Sequence, residues 1–386
     1  MRKIVLCATI ANKPYSGGQS LIPLQYILGL KNLGFDVLCF ETVAAEQCWN
    51  DHQNPCSFVE SVQYEYFVRI MTAFSLTQCC SLLYDHGQQY WGASLEDVLR
   101  FACDADALIV IGGCFPAFSD IVGAVRKRIF IDQDPVYTQL WTSVYHADLG
   151  LSEADVLFTV GLNIGSAICP IPTCERTWNS IMPVIDLKFW PFVDPSISAE
   201  KITTIASWRG FAPIEYQGEW YEQKAVEFKR FVDLPSRIKR PVEVALSIHE
   251  GEEDLKLLRT HGWRIVDPRI QVSEPWSYRA YISQSRAELG IYANAYVKAR
   301  SGWLSDRSAA YLASGKPVLA QDTGLSNHLP LGTGLIPFTT EEELIAAIED
   351  LDKRYEEHCI AARRLAEAYF SAEKVLSKLL VQADLA

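Results

Sequence analysis

The sequence predicts an α/β protein made of two doubly wound domains, each with a mostly parallel sheet between layers of helices. The chain has 386 residues, which is longer than single domains usually are. Short apolar runs typical of buried strands alternate with helical stretches in both halves. Between the halves, residues 182–195 (MPVIDLKFWPFVDP) are rich in proline and lack helical periodicity. We therefore place the first domain at residues 1–185 and the second at residues 186–370.

The first half opens with the order strand, loop, helix and strand of a βαβ unit. Ile4–Thr9 is an apolar run, Ser20–Leu33 has apolar residues at helical spacing, and Phe35–Phe40 is a second strand. The loop after the first strand carries Gly17 and Gly18. A glycine-rich turn here is typical of phosphate binding at a helix start, although two glycines also serve an ordinary tight turn.

Candidate catalytic acids and bases lie further along the first half. Its remaining predicted elements are a helical stretch, Glu60–Leu83, and three strands, Ala107–Gly113, Arg128–Pro135 and Asp155–Val160. Asp132 and Asp134 stand at a strand end, where parallel sheets bind their ligands. Their spacing predicts that both carboxylates point to one face, where they would deprotonate an acceptor hydroxyl or only shape a turn. His146 is a further candidate base, with a structural role as its alternative.

The second half repeats the alternation of strands and helices. The predicted strands are Lys201–Ser207, Val242–Ile248, Trp263–Val266 and Glu288–Tyr292, and the predicted helices are Gln223–Val232, Glu252–His261, Glu341–Asp350 and Cys359–Leu380.

The segment Ser301–Gly324 (SGWLSDRSAAYLASGKPVLAQDTG) predicts a loop, a short helix, a glycine stop and a buried strand. Polar side chains gather where its loop meets its helix, namely Ser301, Asp306, Arg307 and Ser308. A helix N-terminus offers free N–H groups and a partial positive charge, which favour an anion. The segment therefore predicts binding of a phosphorylated small molecule, with helix capping as the alternative role of the serines.

Basic residues follow other predicted strand ends in the second half. Arg209 follows the strand Lys201–Ser207, and Arg300 precedes the loop of the segment just described. Arginine suits bidentate phosphate binding, and Lys224 would add a point charge. His249 follows the strand Val242–Ile248 and is expected to face the cleft beyond the strand ends. Each residue alone would fit a surface salt bridge, but three arginines at strand–helix turns together favour a shared anion site.

Composition and missing motifs exclude several other classes of protein. A net charge of −12 argues against general binding of nucleic acid or anionic membranes. The apolar run in MRKIVLCATI is too short for a secretory signal, and no apolar run is long enough for a transmembrane span. The 11 scattered cysteines suit a reducing compartment and lack zinc-site spacing, so we expect a cytoplasmic protein without a metal site. The motifs G-x-S-x-G of hydrolases, H-E-x-x-H of zinc proteases and G-x-x-x-x-G-K-[ST] of P-loop kinases are absent.

The Gly17-Gly18 loop before a leucine-rich helix, together with the block at residues 301–324, resembles glycosyltransferases of the GT-B fold. More narrowly, residues 261–269 (HGWRIVDPR) and 278–308 are similar to a bacterial family of predicted glycosyltransferases. The resemblance covers nearly the whole chain. It implies two Rossmann-like domains facing across a cleft, with the acceptor on the first and the nucleotide-sugar donor mainly on the second. It also implies a final helix, residues 371–386, that crosses back onto the first domain.

This resemblance implies a glycosyltransferase of the hexosyltransferase type that needs no cofactor besides its nucleotide-sugar co-substrate. Its acceptor would be a small molecule, a lipid or a glycan. The predicted donor-binding residues are Gly17, Gly18, Arg209, Lys224, His249, Arg300, Ser301, Asp306, Arg307, Ser308, Thr323 and Gly324, and the catalytic candidates are Asp132, Asp134 and His146.

The sequence departs from the family at the short predicted helix within residues 301–324, where retaining members carry two glutamates. Gly302 and Ala310 occupy those positions, and Asp306 is the candidate substitute for the missing acids. A sugar-nucleotide epimerase of the same layout and a non-catalytic nucleotide- or sugar-binding protein therefore stay open as alternatives.

Overall fold

The computed structural model describes residues 2–112, 119–196 and 199–385. Gly113, the last residue of a predicted strand, lies outside this described part. Within it, the first half of the chain forms an eight-stranded sheet and the second half a six-stranded sheet. No helix of the described residues is both long and apolar enough to cross a membrane.

The first sheet runs in the order β4-β3-β2-β1-β5-β6-β7-β8. It is parallel except at one edge, where β3 and β4 pair antiparallel. Its strands are β1 (Lys3–Cys7), β2 (Asp36–Val43), β3 (Cys80–Tyr84), β4 (Gln89–Gly92), β5 (Ala107–Ile111), β6 (Arg128–Asp132), β7 (Val156–Thr159) and β8 (Trp178–Ser180). Its helices are α1 (Gly17–Asn32), α2 (Val62–Ala73), α3 (Leu95–Cys103), α4 (Ser119–Ala124) and α5 (Tyr137–Val144). The strand order reverses between β1 and β5, which opens a crevice at the carboxyl edge of the sheet.

The second sheet runs in the order β13-β12-β9-β14-β15-β16 with every pair parallel. Its strands are β9 (Ile202–Ser207), β12 (Val242–Ser247), β13 (Arg264–Val266), β14 (Ala287–Gly290), β15 (Val318–Gln321) and β16 (Leu335–Phe338), and a separate antiparallel hairpin consists of β10 (Ile214–Tyr216) and β11 (Glu219–Tyr221). The helices are α6 (Lys224–Arg230), α7 (Leu234–Arg237), α8 (Glu253–Thr260), α9 (Pro268–Gln271), α10 (Pro275–Ser283), α11 (Asn294–Lys298), α12 (Asp306–Ala313), α13 (Glu341–Lys353), α14 (Tyr355–Leu365) and α15 (Ala372–Gln382). Here the order reverses between β9 and β14.

The central strands are mostly apolar because helices cover both faces of each sheet. In β1, Ile4, Val5 and Leu6 are all fully buried. One continuous apolar cluster joins the two halves, since Tyr137 of α5 packs with Tyr296 of α11. The domain limits at residues 185 and 370 stay a prediction.

Two predicted helices are interrupted in the structure. The stretch Glu60–Leu83 is helical only through Ala73, and its last part forms β3. Residues of β3 are buried on both faces, so the apolar run could not be told from a buried helix by periodicity.

The stretch Cys359–Leu380 breaks where the chain turns at Ser371. The amide of Ile185 donates to the carbonyl of Phe370 at 2.8 Å, and the amide of Ala372 donates to the carbonyl of Ile185 at 2.8 Å. After this exchange α15 packs on α1, with Leu376 against Gly29. The break therefore redirects the last helix onto the first sheet.

Candidate functional site

An acid pair lies where the two halves meet. Asp134 follows β6 in the first half, and Asp306 begins α12 in the second half. Burial, the neighbouring Asp132 and the charge of Asp306 raise the pKa of Asp134 to about 7. Lys13 and a hydrogen bond from the Tyr296 hydroxyl oppose this rise. Asp134 is therefore poised to exchange a proton near neutral pH.

Asp306 carries the second carboxyl of the pair. Burial raises its pKa to about 6, and the adjacent Arg307 opposes the rise. The hydroxyl of Ser305 caps α12 by accepting a hydrogen bond from the amide of Arg307 at 3.2 Å. One of the free amides expected at this helix start is thus already satisfied by the protein.

Asp132 is a buried carboxylate with a full set of donors. It accepts hydrogen bonds from Thr138 Oγ1 at 2.6 Å, Gln139 Nε2 at 2.9 Å and Thr159 Oγ1 at 2.8 Å. The amide of Asp134 donates to it at 3.0 Å. Since β6 ends at Asp132, the strand alternation that would align the two side chains does not extend to Asp134. These contacts favour Asp134 as the acid that meets a substrate.

A cluster of charges lies beneath the start of α12. Arg307 is 8% exposed and donates from Nε to Glu288 Oε1 at 2.5 Å and from Nη1 to the carbonyl of Ile205 at 2.6 Å. Burial and the charge of Arg307 lower the pKa of Lys224 to about 7, against the opposing effect of Glu288. Among the described residues, Arg307 Nη2 has no hydrogen-bond partner and Lys224 Nζ has neither a hydrogen bond nor an ion pair. The cluster therefore retains unused cationic donors.

The predicted glycine loop lies in the seam between the halves. The amide of Gly17 donates to the carbonyl of Val272 at 3.2 Å. A Cβ on Gly17 would lie 2.4 Å from the carbonyl oxygen of Glu274, and one on Gly18 would lie 2.7 Å from the ring of Tyr278. Close packing thus requires both glycines, and their phosphate role stays a prediction.

Asn163 connects the first half to the loops around α12. Its Nδ2 donates to the carbonyls of Arg300 at 2.8 Å and Gly324 at 3.0 Å. His328 Nε2 lies 2.7 Å from Asn163 Oδ1, and the Asn163 amide donates to the carbonyl of Ser301 at 3.0 Å. The predicted donor residues at 300–301 and 324 therefore contribute backbone groups to an interdomain contact.

Removing the Asn163 side chain should weaken the contact between the two halves of the chain. Asn163→Ala is expected to lower the free energy of unfolding by about 2–3 kcal/mol, because buried carbonyls lose their donor. Urea denaturation measures the change, with Asn54→Ala as an exposed control. Equal midpoints for the two variants would contradict a stabilising role.

The other side chains in this region that were predicted to bind the nucleotide sugar form hydrogen bonds within the second half. The hydroxyl of Ser301 donates to the carbonyl of Tyr296 at 3.2 Å, and that of Thr323 donates to the carbonyl of Trp303 at 2.8 Å. The Ser308 hydroxyl is 3.1 Å from the Tyr292 hydroxyl and is fully buried. Their donor roles stay predictions.

Arg209, His249, Arg300 and His146 lie nearer the surface. Arg209 forms a bidentate pair with Glu252 at 2.7 and 2.8 Å. His249 is exposed and accepts a hydrogen bond at Nδ1 from the backbone of its own turn. The Arg300 side chain is 53% exposed and 3.8 Å from an aspartate, and His146 is exposed beyond the end of α5. Nothing in these contacts brings the two histidines to the acid pair.

Four residues of this region were not predicted from the sequence, namely Lys13, Tyr296, Glu288 and Asn163. Lys13 follows β1 and Asn163 follows β7, so the strand-end rule applied to Asp134 could have found both. Glu288 interrupts an apolar strand, a signal that a buried cation should lie nearby. Tyr296 has no comparable signal.

Among residues 2–112, 119–196 and 199–385, no group of three or more His, Cys, Asp or Glu side chains is arranged to hold a metal ion.

Comparison with known proteins identifies the fold. No protein-family profile matches the chain, and no curated protein matches its sequence. Among solved structures, an alpha-glucosyltransferase (AGT) in complex with UDP matches 100% of both chains with a TM-score of 0.59 and 13% identity. Anabaena HepE in complex with UDP and glucose also matches 100% of both chains, with a TM-score of 0.59 and 10% identity.

A further AGT structure, with UDP and a 13-mer DNA containing a HMU base, matches 99% of both chains with a TM-score of 0.57 and 13% identity. These neighbours are GT-B glycosyltransferases. The chain therefore has the GT-B fold, with two Rossmann-like doubly wound domains facing across a cleft, and the predicted fold class is confirmed.

Proposed function

We propose that this protein is a glycosyltransferase that moves a sugar from a nucleotide-sugar donor to an acceptor hydroxyl without a metal ion. The observation that carries the proposal is the partly buried cationic pair, Lys224 and Arg307, with unused donors beneath the start of α12. A leaving nucleoside diphosphate gains negative charge as the sugar departs, and fixed cations stabilise it in a partly dry site. Solved structures with this fold contain UDP in AGT and UDP-glucose in HepE, which supports a diphosphate as the anion.

The acid pair would supply the general base of the proposed reaction. With a pKa of about 7, Asp134 would accept the proton of the attacking hydroxyl at neutral pH. Asp134 belongs to the first half and the cationic pair to the second, so an acceptor and a donor would meet between them. A small molecule, a lipid or a glycan would each provide such a hydroxyl.

Donor binding should take up a proton through Lys224. This lysine is only partly charged near pH 7, and a bound diphosphate would favour its charged form. UDP affinity should therefore fall as pH rises above about 7. Isothermal titration calorimetry of UDP in buffers of different ionisation enthalpy measures the proton uptake directly.

Lys224→Met is expected to weaken UDP binding about tenfold and to abolish most of the proton uptake, since a single charge-assisted contact is lost. Lys256→Met, on the exposed face of α8, is the matched control and should behave like the wild type. Unchanged UDP affinity and proton uptake in the Lys224 variant would remove this residue from the donor site.

A nucleotide panel and product analysis decide the reaction. Thermal shifts are measured with UDP, GDP, ADP and dTDP, and no shift with any of them would contradict a nucleotide-sugar donor. Incubation with the preferred donor and an acceptor panel, with and without EDTA, then tests transfer and its independence of metal. A converted donor sugar in the absence of acceptor would instead indicate an epimerase, and binding without turnover a non-catalytic protein.

A further inference from the structure

A cavity lies at the junction of both halves with the C-terminal helix, α15. Its volume is about 370 Å³, within the range of small-molecule sites. The first half contributes Ser180, Ile181 and Met182 at the end of β8, and the second half contributes Asn327 and His328. The remaining wall is formed by Leu162, by the helical turn before α15 and by α15 itself. None of the acids and cations of the proposed donor site lines this cavity.

The charged side chains that line the cavity are all basic. Lys374 and Lys378 are one turn apart on α15, so they project from the same face of this helix. Lys374 Nζ donates to the carbonyl of Glu367 at 2.9 Å, and Lys378 Nζ has no hydrogen bond or ion pair with any described residue. No acidic side chain is among the described residues that line the cavity, although the chain carries a net charge of −12. The local charge therefore favours an anion.

An apolar surface lies beside the two lysines. It is formed by Ile181, Met182, Val375 and Leu379. A bare inorganic anion would leave this surface in contact with water, whereas an anion with an apolar body would cover it.

His328 links the cavity to the interdomain contact. Because the amide oxygen of Asn163 is an acceptor, the His328 nitrogen 2.7 Å away must donate. Burial and the charge of Lys378 lower the pKa of His328, which favours the neutral form of the ring. The two lysines are consequently the cations available to a ligand.

We propose that this cavity binds a phosphate monoester with an apolar body, its phosphate on Lys374 and Lys378 and its body on the apolar surface. The ligand would touch both halves and α15 at once, so its binding would stabilise their packed arrangement. The proposal is independent of the reaction proposed for the cleft. An alkyl phosphate, as in a lipid, and an aryl phosphate, closer to a nucleotide, share the required chemistry.

The test uses the full chain with n-octyl phosphate and 1-naphthyl phosphate in separate calorimetric titrations. UDP is present at a saturating concentration, so that a donor site in the cleft is already filled. We expect one equivalent of at least one probe to bind, and the tighter probe identifies the kind of body that the cavity accepts. The variant Lys374→Gln/Lys378→Gln should bind that probe at least about tenfold more weakly, because both charge-assisted contacts are lost.

The control variant Lys239→Gln/Lys256→Gln removes the same charge from exposed positions outside the cavity and should bind within about twofold of the wild type. Circular dichroism melting checks that both variants are folded. Equal loss in the two variants, or no binding of either probe to the wild type both with and without UDP, would overturn the proposal. Failure of UDP to bind would bear on the cleft alone, since the probe titrations are then repeated without it.

Discussion

Arg307→Ala is expected to lower the free energy of unfolding by about 3–5 kcal/mol, because breaking a buried ion pair leaves the buried carboxylate without its direct partner. Its partner Glu288 is fully buried in the middle of β14, among apolar neighbours. The lost guanidinium would also leave the carbonyl of Ile205 without its donor. Urea denaturation followed by far-ultraviolet circular dichroism measures the change.

Two further variants separate the buried charge from the loss of side-chain volume. Arg307→Met/Glu288→Met removes both charges and should recover at least about half of the lost stability, since buried pairs are often replaceable by apolar residues. Arg300→Ala removes an arginine whose side chain is 53% exposed and should cost less than about 1 kcal/mol. If Arg307→Ala unfolds with the wild-type midpoint, the ion pair does not support the fold, and a ligand would be the main partner of this arginine.

This result decides how activity data on Arg307 are to be interpreted. A loss of transfer in Arg307→Ala would follow from unfolding as readily as from a lost contact with the donor. Lys224 has no hydrogen bond or ion pair among the described residues, so its replacement reports on the ligand with little structural penalty.

The fold could be predicted from the sequence because its strands are buried on both faces. Runs such as Ile4–Thr9 and Ala107–Gly113 are apolar at successive positions, and their alternation with helices defines a doubly wound sheet. Because β3 is also buried on both faces, it was predicted as the end of the helix Glu60–Leu83. The hairpin of β10 and β11 was missed because two strands of three residues give no periodic signal.

The candidate site could be predicted only one half at a time. The strand-end rule located Asp134, and the helix-start rule located Asp306. That these two carboxyls influence each other depends on how the halves pack, which no local pattern records. Arg307 matched a phosphate-binding pattern, but the sequence could not show that its guanidinium already donates a hydrogen bond to Glu288.

Asp134→Asn is expected to reduce kcat/KM for sugar transfer by about a hundredfold or more, since general bases contribute rate factors of this size. UDP affinity should stay near the wild-type value, because Asp134 lies in the first half and the proposed diphosphate cations lie in the second. Steady-state kinetics with the preferred donor and calorimetry with UDP give the two numbers. A variant that keeps more than about a third of wild-type kcat/KM would exclude Asp134 as the base.

The pH profile tests the same assignment without removing the carboxyl. A base must be unprotonated, so wild-type kcat/KM for the acceptor, measured at saturating donor, should rise with pH through about 7, the pKa of Asp134. Asp306→Asn removes a negative charge that raises this pKa and should move the midpoint to lower pH. Lys13→Gln removes a positive charge that lowers it and should move the midpoint to higher pH.

Opposite shifts from two residues on different halves of the chain would identify Asp134 as the titrating group. A purely structural effect of either substitution would lower activity at all pH values and leave the midpoint in place. If both midpoints stay at the wild-type value, the group that titrates during transfer is not Asp134, and the acid pair would serve to join the two halves.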